Sequence, residues 1–406
     1  MYDPAGYGSN MAVKRQPNDA PAKAAFWRRP VFRSAVFQVL LVLGVVYVGN
    51  ALLNNTLYNL EQRGISTGFD FMSNAAGFGI VQTLIDYQET DTFGRTFLVG
   101  LLNTILVSVL GIFFATIIGF IMGVARLSKN WLIAKLAMVY IETFRNIPLL
   151  LQILFWYFIV LNKLPLPRQS MDLGGVIFLN KRGLSLPSPV FEPGFWVVGA
   201  AILLAVVLVF LIVRWAHIRQ EQTGHQFHTV YASLAMLIGL PLLVFFAAGS
   251  PVSWEIPALK GFNFKGGFVV IPELAALLLA LSIYTAAFIA EAVRSGILAV
   301  SHGQTEAAYA LGLRPGITLR LVIIPQALRV IIPQLTSQYL NLTKNSSLAT
   351  AVGYPDLVSV FAGTTLNQTG QAIEVIAMTM AVYLSISLSI SLFMNWYNRK
   401  KQLVER

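Results

Sequence analysis

Residues 301–327 read SHGQTEAAYALGLRPGITLRLVIIPQA, a polar, Ala- and Gly-rich stretch between two strongly apolar ones. Ser301 followed by Gln304 fits a capping box, in which each side chain satisfies an orphan amide of the first helical turn. The helix that follows stops at Gly312, the residue type best suited to a left-handed C′ position. Pro315 suits the first position of a second short helix, and Pro325 is expected to break that helix before the next apolar segment. The first helix should make about three turns, roughly 16 Å at 1.5 Å per residue. Ala307, Ala308 and Ala310 keep its surface small and its backbone approachable, and Glu306 adds a charge. By periodicity alone the segment reads equally as an interfacial amphipathic connector or as a docking element for another protein.

The flanks decide the solvent. Of 406 residues, 56% are hydrophobic and only 12% charged, about half the charged fraction of a soluble domain. Several apolar runs reach the roughly 20 residues needed to cross hydrocarbon. The expected fold class is therefore all-α, a polytopic membrane protein with about eight transmembrane helices, near 35–53, 98–125, 134–161, 195–213, 229–248, 270–292, 330–353 and 374–397. Eight crossings put both termini on one side, and the distribution of Lys and Arg makes that side cytoplasmic. It receives the tail basic residues Lys14, Arg15, Lys23, Arg28, Arg29 and Arg33, then Arg126, Lys129, Arg214, Arg219, Arg314, Arg320 and the C-terminal cluster Arg399–Lys401 with Arg406. Loop 54–97, rich in Asp and Glu, lies outside; loop 162–194, with Lys163, Arg168, Lys181 and Arg182, fits least well. The net charge of +11 needs no nucleic-acid partner, because no basic soluble domain accompanies it. With no cysteine, disulfide and thiolate chemistry are excluded.

The resulting organisation is a cytoplasmic tail 1–34, an extra first span and external loop 35–97, a first core part 98–162, an insert 163–250 with an external loop and two lipid-facing spans, a second core part 251–398, and a cytoplasmic end 399–406.

Glu306-Ala307-Ala308, Gly312 and Ile324-Pro325 together resemble the EAA loop of ABC-importer permeases. ETFRNIPLLLQILFWYF (142–158), YTAAFIAEAVRSGI (284–297) and LTKNSSLATAVGYPDL (342–357) resemble the polar amino-acid subfamily, the histidine/glutamine/arginine type. The likeness covers about 95–162 and 269–398, and the chain looks most like a long permease subunit of a general L-amino-acid importer. The resemblance implies a type I importer-like core whose loop 301–327 forms a coupling helix seated in a cytoplasmic ATPase subunit. Glu306, Ala307, Ala308, Gly312 and Pro325 would carry that coupling. It further implies a homologous permease partner, giving a heterodimer, two ATPase subunits, and an external amino-acid-binding protein. No cofactor is expected on this chain: it has no GxxxxGK[ST] loop, so ATP and Mg belong to the partner ATPase.

Polar residues at membrane depth usually face a bundle interior or a water-filled path. Gln334, Gln338, Asn341 and Asn345 recur at spacings that place them on one helical stripe, extended by Lys344, Ser346 and Ser347. Neutral amides supply donors for a carboxylate and acceptors for an ammonium, so Gln338, Asn341 and Asn345 are pathway or substrate candidates. Interhelical bonds to the partner permease are the competing reading. A neutral Gln338 favours broad, neutral or acidic amino-acid specificity over strictly cationic substrates. In the third span Pro148 predicts a break at Ile147. Glu142 and Arg145 are spaced to pair there, as are Glu291 and Arg294 near the coupling loop, both as structural pairs. Asn146 and Gln152 are further pathway candidates, and Asn103 and Thr104 are packing residues. His217, His225 and His228 lack metal-ligand spacing and no completing carboxylate set, so no metal is expected. The alternative function, an ion-coupled secondary transporter, would need more carboxylates within the membrane; a membrane-embedded enzyme would need a motif such as HExxH or GxSxG, and neither occurs.

Overall fold

The structure, a computed structural model, describes residues 30–62 and 67–401. Residues 1–29, which hold most of the basic tail, lie outside the described residues, as do Arg63 and Arg406. The chain divides into two units, Met1–Thr67 and Gly68–Arg406. Among its described residues the first carries one helix, α1 (Pro30–Gln62). Its 33 residues span about 50 Å at 1.5 Å per residue, and apolar side chains such as Leu41, Tyr47 and Leu52 stand exposed around it, as on a helix solvated by lipid.

The second unit begins with an ordered segment. A short 3₁₀ turn at Asp70–Ser73 buries Phe71, and Gly68 N–H donates to the Glu374 carboxylate (2.7 Å). The Thr92 side chain then caps α2 (Phe93–Arg126). Next come α3 (Trp131–Asn146) and α4 (Leu149–Leu154), which continues as a π-wound turn to Val160 and a 3₁₀ turn to Lys163. The expected break is present: Ile147 takes an extended conformation ahead of Pro148, and the chain bends by 106°. Asn180, Gly183 and the surrounding residues then build strands β1 (Met171–Leu173), β2 (Ile177–Asn180), β3 (Gly183–Leu186) and β4 (Ser188–Phe191). A helical hairpin follows, α5 (Phe195–Thr223) and α6 (Thr229–Ala247), then β5 (Val252–Glu255), β6 (Ala258–Lys260), β7 (Asn263–Lys265) and β8 (Phe268–Val270). The external loop of the insert and the opening of the second core part therefore fold together as a β cap: an antiparallel sheet β1-β2-β3-β8 and two ladders, β4-β5 and β6-β7. Strands of three or four residues are too short to show a period of two. The β4-β5 ladder zips the base of the α5–α6 hairpin, whose outer surface carries exposed Leu203, Phe210, Leu243 and Phe246.

α7 (Pro272–Leu298) is the buried axis of the unit. It runs parallel to α2, and the two approach closely because Gly119 and Gly123 carry no side chain. A Cβ at Gly119 would lie 2.5 Å from Ile289 Cγ2, and one at Gly123 2.7 Å from the Ala290 carbonyl oxygen. α3 joins them through the Tyr140 hydroxyl, which donates to the Ile283 carbonyl (2.7 Å).

After α7 come α8 (His302–Ala310), α9 (Pro315–Thr318) and α10 (Ile324–Asn345), then α11 (Leu366–Thr369) and α12 (Ala372–Lys401). Here one expectation is corrected. Pro325 does not end a helix; helical backbone runs without a break from Pro315 through Val352. The reason is a π-wound turn at Leu319–Ile323 directly before Pro325. Such a turn accommodates the hydrogen bond that a proline cannot donate without breaking the helix. Among the described residues seven helices are long and apolar enough to cross a membrane, and the bent α3–α4 pair makes an eighth if it crosses as one broken span. The β cap and α8 sit at opposite ends of α7, whose 27 residues separate them by about 40 Å.

Candidate functional site

α8 is shorter than expected, nine residues or about 13 Å, and the capping box does not form. Ser301 occupies the N-cap in extended conformation without a side-chain bond, and Gln304 Oε1 instead accepts from the Gln326 amide (3.3 Å). Gln304 is thereby drawn to the first turn of α10. The other end closes as the sequence requires. Gly312 adopts φ +75°, its N–H donates to the Tyr309 carbonyl, and Leu313 N–H donates to that of Ala308. This double closure satisfies the last orphan carbonyls and needs a left-handed residue at position 312. Glu306, Ala307, Ala310 and Tyr309 are exposed, and Leu311 stands out with 81% of its surface free. Ala308 faces the other way, buried against its own chain, so the small surface offered outward is Ala307 and Ala310. Glu306 lies 3.0 Å from His302 Nδ1, both exposed. Pro325 is half-buried in the first turn of α10.

The amide stripe falls on one face of α10. Gln334, Ser337, Asn341 and Lys344 are exposed, and Gln338 and Asn345 half-buried, while Ile331, Ile332, Leu335, Leu342 and Thr343 fill the opposite, buried face. The polar face is left uncovered by the described residues of this chain.

The two expected ion pairs diverge. Arg294 holds Glu291 through two bonds, Nε to Oε2 (3.0 Å) and Nη2 to Oε1 (2.6 Å). Glu142 and Arg145 do not pair: Glu142 is exposed, and the Arg145 guanidinium lies over the Phe288 ring at 5.3 Å. Arg145 instead acts at longer range on Glu291, as Glu142 does on Arg294, so the four charges form one cluster between α3 and α7. Gln152 is buried, and its NH₂ group donates to the Phe144 and Ile147 carbonyls (3.0 Å each), the groups freed by the break at Pro148. Asn146 bonds back to the Glu142 carbonyl of its own helix (2.6 Å). Both pathway candidates thus have their amide donors committed locally.

Asn103 and Thr104 clamp the turn between the last two spans. Asn103 Nδ2 donates to the carbonyls of Gln82 (2.9 Å) and Pro355 (2.8 Å), and Leu357 N–H donates to Thr104 Oγ1 (3.0 Å). Beside them lies a residue the sequence reading missed. Asp356 is fully buried, accepting from Ser359 N–H (2.8 Å) and the Tyr383 hydroxyl (3.1 Å). Burial pushes its carboxyl up to about 7. The signal available in sequence was an acid directly after Tyr354-Pro355, in a stretch otherwise without acids. His217 lies 3.3 Å from Glu221, and among the described residues no group of three ligating side chains gathers for a metal.

Residues 228–402 match the family described as binding-protein-dependent transport system inner membrane component. The chain is 59% identical over 377 residues to YhdX of Escherichia coli (strain K12), named as an amino-acid ABC transporter permease protein, covering 93% of this chain and 96% of that one. It is 54% identical to the general L-amino acid transport system permease protein AapQ of Rhizobium johnstonii, covering 93% and 94%. It is 45% identical to the glutamate/glutamine/aspartate/asparagine transport system permease protein BztB of Rhodobacter capsulatus, covering 92% and 95%.

Proposed function

The chain belongs to the family of amino-acid ABC transporter permeases, and from that premise we propose that it forms half of the translocation pathway of an ATP-driven L-amino-acid importer. α8 is its contact to the engine. A two-and-a-half-turn helix, locked at Gly312 and exposed at Glu306, Ala307, Tyr309 and Leu311, is shaped to be gripped by a partner. The observation that carries the reading is the unbroken helical backbone from Pro315 to Val352. Movement of α8 passes through the turn closed at Gly312 into this backbone and on to the polar face of α10.

The α8 end is the cytoplasmic end, since Arg126, Lys129, Arg314 and Arg320 gather there; both termini then lie in the cytoplasm and the β cap outside. The cations of loop 162–194 remain a departure from that charge rule. Two ATPase subunits supply ATP and Mg chemistry, a homologous permease covers the α10 face, and an external binding protein delivers the amino acid. Gln338, Asn341 and Asn345 line the path between the two permeases. Glu291–Arg294 with Arg145 and Glu142 stiffens the passage from α7 to α8.

Glu306→Lys combined with Gly312→Asp tests the coupling assignment. The first reverses a charge on the outward face, and the second puts a side chain on a left-handed residue. Co-purification of the ATPase subunits should be lost while membrane insertion persists. Normal uptake by proteoliposomes carrying that double variant refutes the assignment.

A further inference from the structure

At the end of α7 away from α8, the β2–β3 turn presents Lys181 and Arg182 to a cavity of about 530 Å³. Tyr157, Asn162, Asn180, Ser185, Asn263 and Glu273 complete its polar lining, and Phe264 and Val269 are among its apolar walls. The turn is held from three directions. The buried Asn180 side chain accepts from Arg182 N–H (2.8 Å) and donates to Ser170 Oγ (3.1 Å), and Lys181 N–H donates to the Pro165 carbonyl (2.9 Å). Gly183, at φ +125°, lets the strand press against β8, where a Cβ would collide with the Val270 carbonyl oxygen. The two cations are thus anchored beside the first turn of α7. In that turn Glu273 is fixed in turn by the Tyr157 hydroxyl, which donates to Oε1 (2.9 Å).

Neither Lys181 nor Arg182 forms an ion pair among the described residues. Arg168, on the same cap, is occupied by stacking on Phe262 at 4.5 Å. An anchored turn carrying two cations outside any ion pair, in a cavity also lined by one carboxylate, is the charge image of a dicarboxylic amino acid, which bears two carboxylates and one ammonium. Arg grips a carboxylate with a planar fork and Lys as a point charge, both by charge-assisted bonds.

We infer that this cavity is an entry site for anionic α-amino acids, with Lys181 and Arg182 taking the two carboxylates and Glu273 the ammonium. The inference rests on the importer reading and adds a substrate class to it. L-Glutamate and L-glutamine differ by one carboxylate and are the probes. In the reconstituted complex with its binding protein, Lys181→Gln with Arg182→Gln lowers the ratio of glutamate to glutamine uptake efficiency about tenfold, the size of one lost charge-assisted contact. Lys181→Arg with Arg182→Lys keeps the ratio. Glu273→Gln weakens both substrates alike, since both carry the ammonium. Lys181→Gln and Arg182→Gln made singly serve if the double variant does not assemble, and one of the two moves the ratio in the same direction. An unmoved ratio, or a wild-type complex that imports glutamine but no glutamate, overturns the entry site. Failure of the wild type to import any amino acid overturns instead the importer reading beneath it.

Discussion

A carboxylate withdrawn from water is costly unless its charge is relieved by protonation or by strong hydrogen bonds. Asp356 meets this condition partway: Ser359 N–H and the Tyr383 hydroxyl bond to it, yet burial raises its pKa from 3.8 to about 7. The folded chain therefore holds the proton more tightly than the unfolded chain. Stability from this group is fully present below about pH 4, declines as pH rises toward 7, and is flat above that. The difference across that window is on the order of 4 kcal/mol. Asp356→Asn keeps the size and the acceptor for Ser359 and removes the titration. Melting temperature measured in detergent from pH 5 to 8 should fall for the wild type and change less for Asp356→Asn, which should be the more stable protein at pH 8. Parallel curves for the two would show that Asp356 is solvated or otherwise compensated.

At the scale of elements, the π-wound turn at Leu319–Ile323 decides how α8 is aimed. It spreads the residues of one turn over a wider ring, so closing it to ordinary α geometry rotates everything before it about the axis of α10. Pro325 is the residue that makes an α-wound turn unfavourable there, because it has no N–H to give. Pro325→Ala restores the donor and lets the turn close. The expected outcome is about a tenfold fall in uptake per ATP hydrolysed, on the pattern of a misplaced group, with ATPase subunits still co-purifying; retained uptake would mean the turn is passive. This element also marks how far the sequence was legible. Pro148 and Gly312 act through their own backbone, and both were read correctly. Pro325 acts through the winding of the turn before it, which no residue type announces. The β cap pairs β3 with β8 across more than 80 residues, and Asp356 is buried by α2 and α12, so neither is written in local periodicity. Gly119 and Gly123, four apart on α2, were a readable small-xxx-small signal for close packing that the span count passed over.

For the whole molecule, the unresolved demand is the uncovered polar face of α10. Gln334, Ser337, Gln338, Asn341 and Lys344 cannot stand in hydrocarbon without a cost of several kcal/mol for each unsatisfied group. A second subunit or a water path would relieve that cost. Because the chain has no cysteine, single-cysteine variants report on this face without background. In the assembled complex, Gln338→Cys and Asn341→Cys should react with a water-soluble maleimide, and Leu335→Cys and Leu342→Cys, on the buried face, should not. Transported amino acid should slow labelling at 338 and 341 if these residues touch the cargo. Labelling at 341 that is insensitive to substrate but blocked by the partner permease assigns the stripe to the subunit contact. Faster reaction with a lipid-soluble reagent than with the water-soluble one would place the face toward the bilayer and remove the pathway assignment altogether.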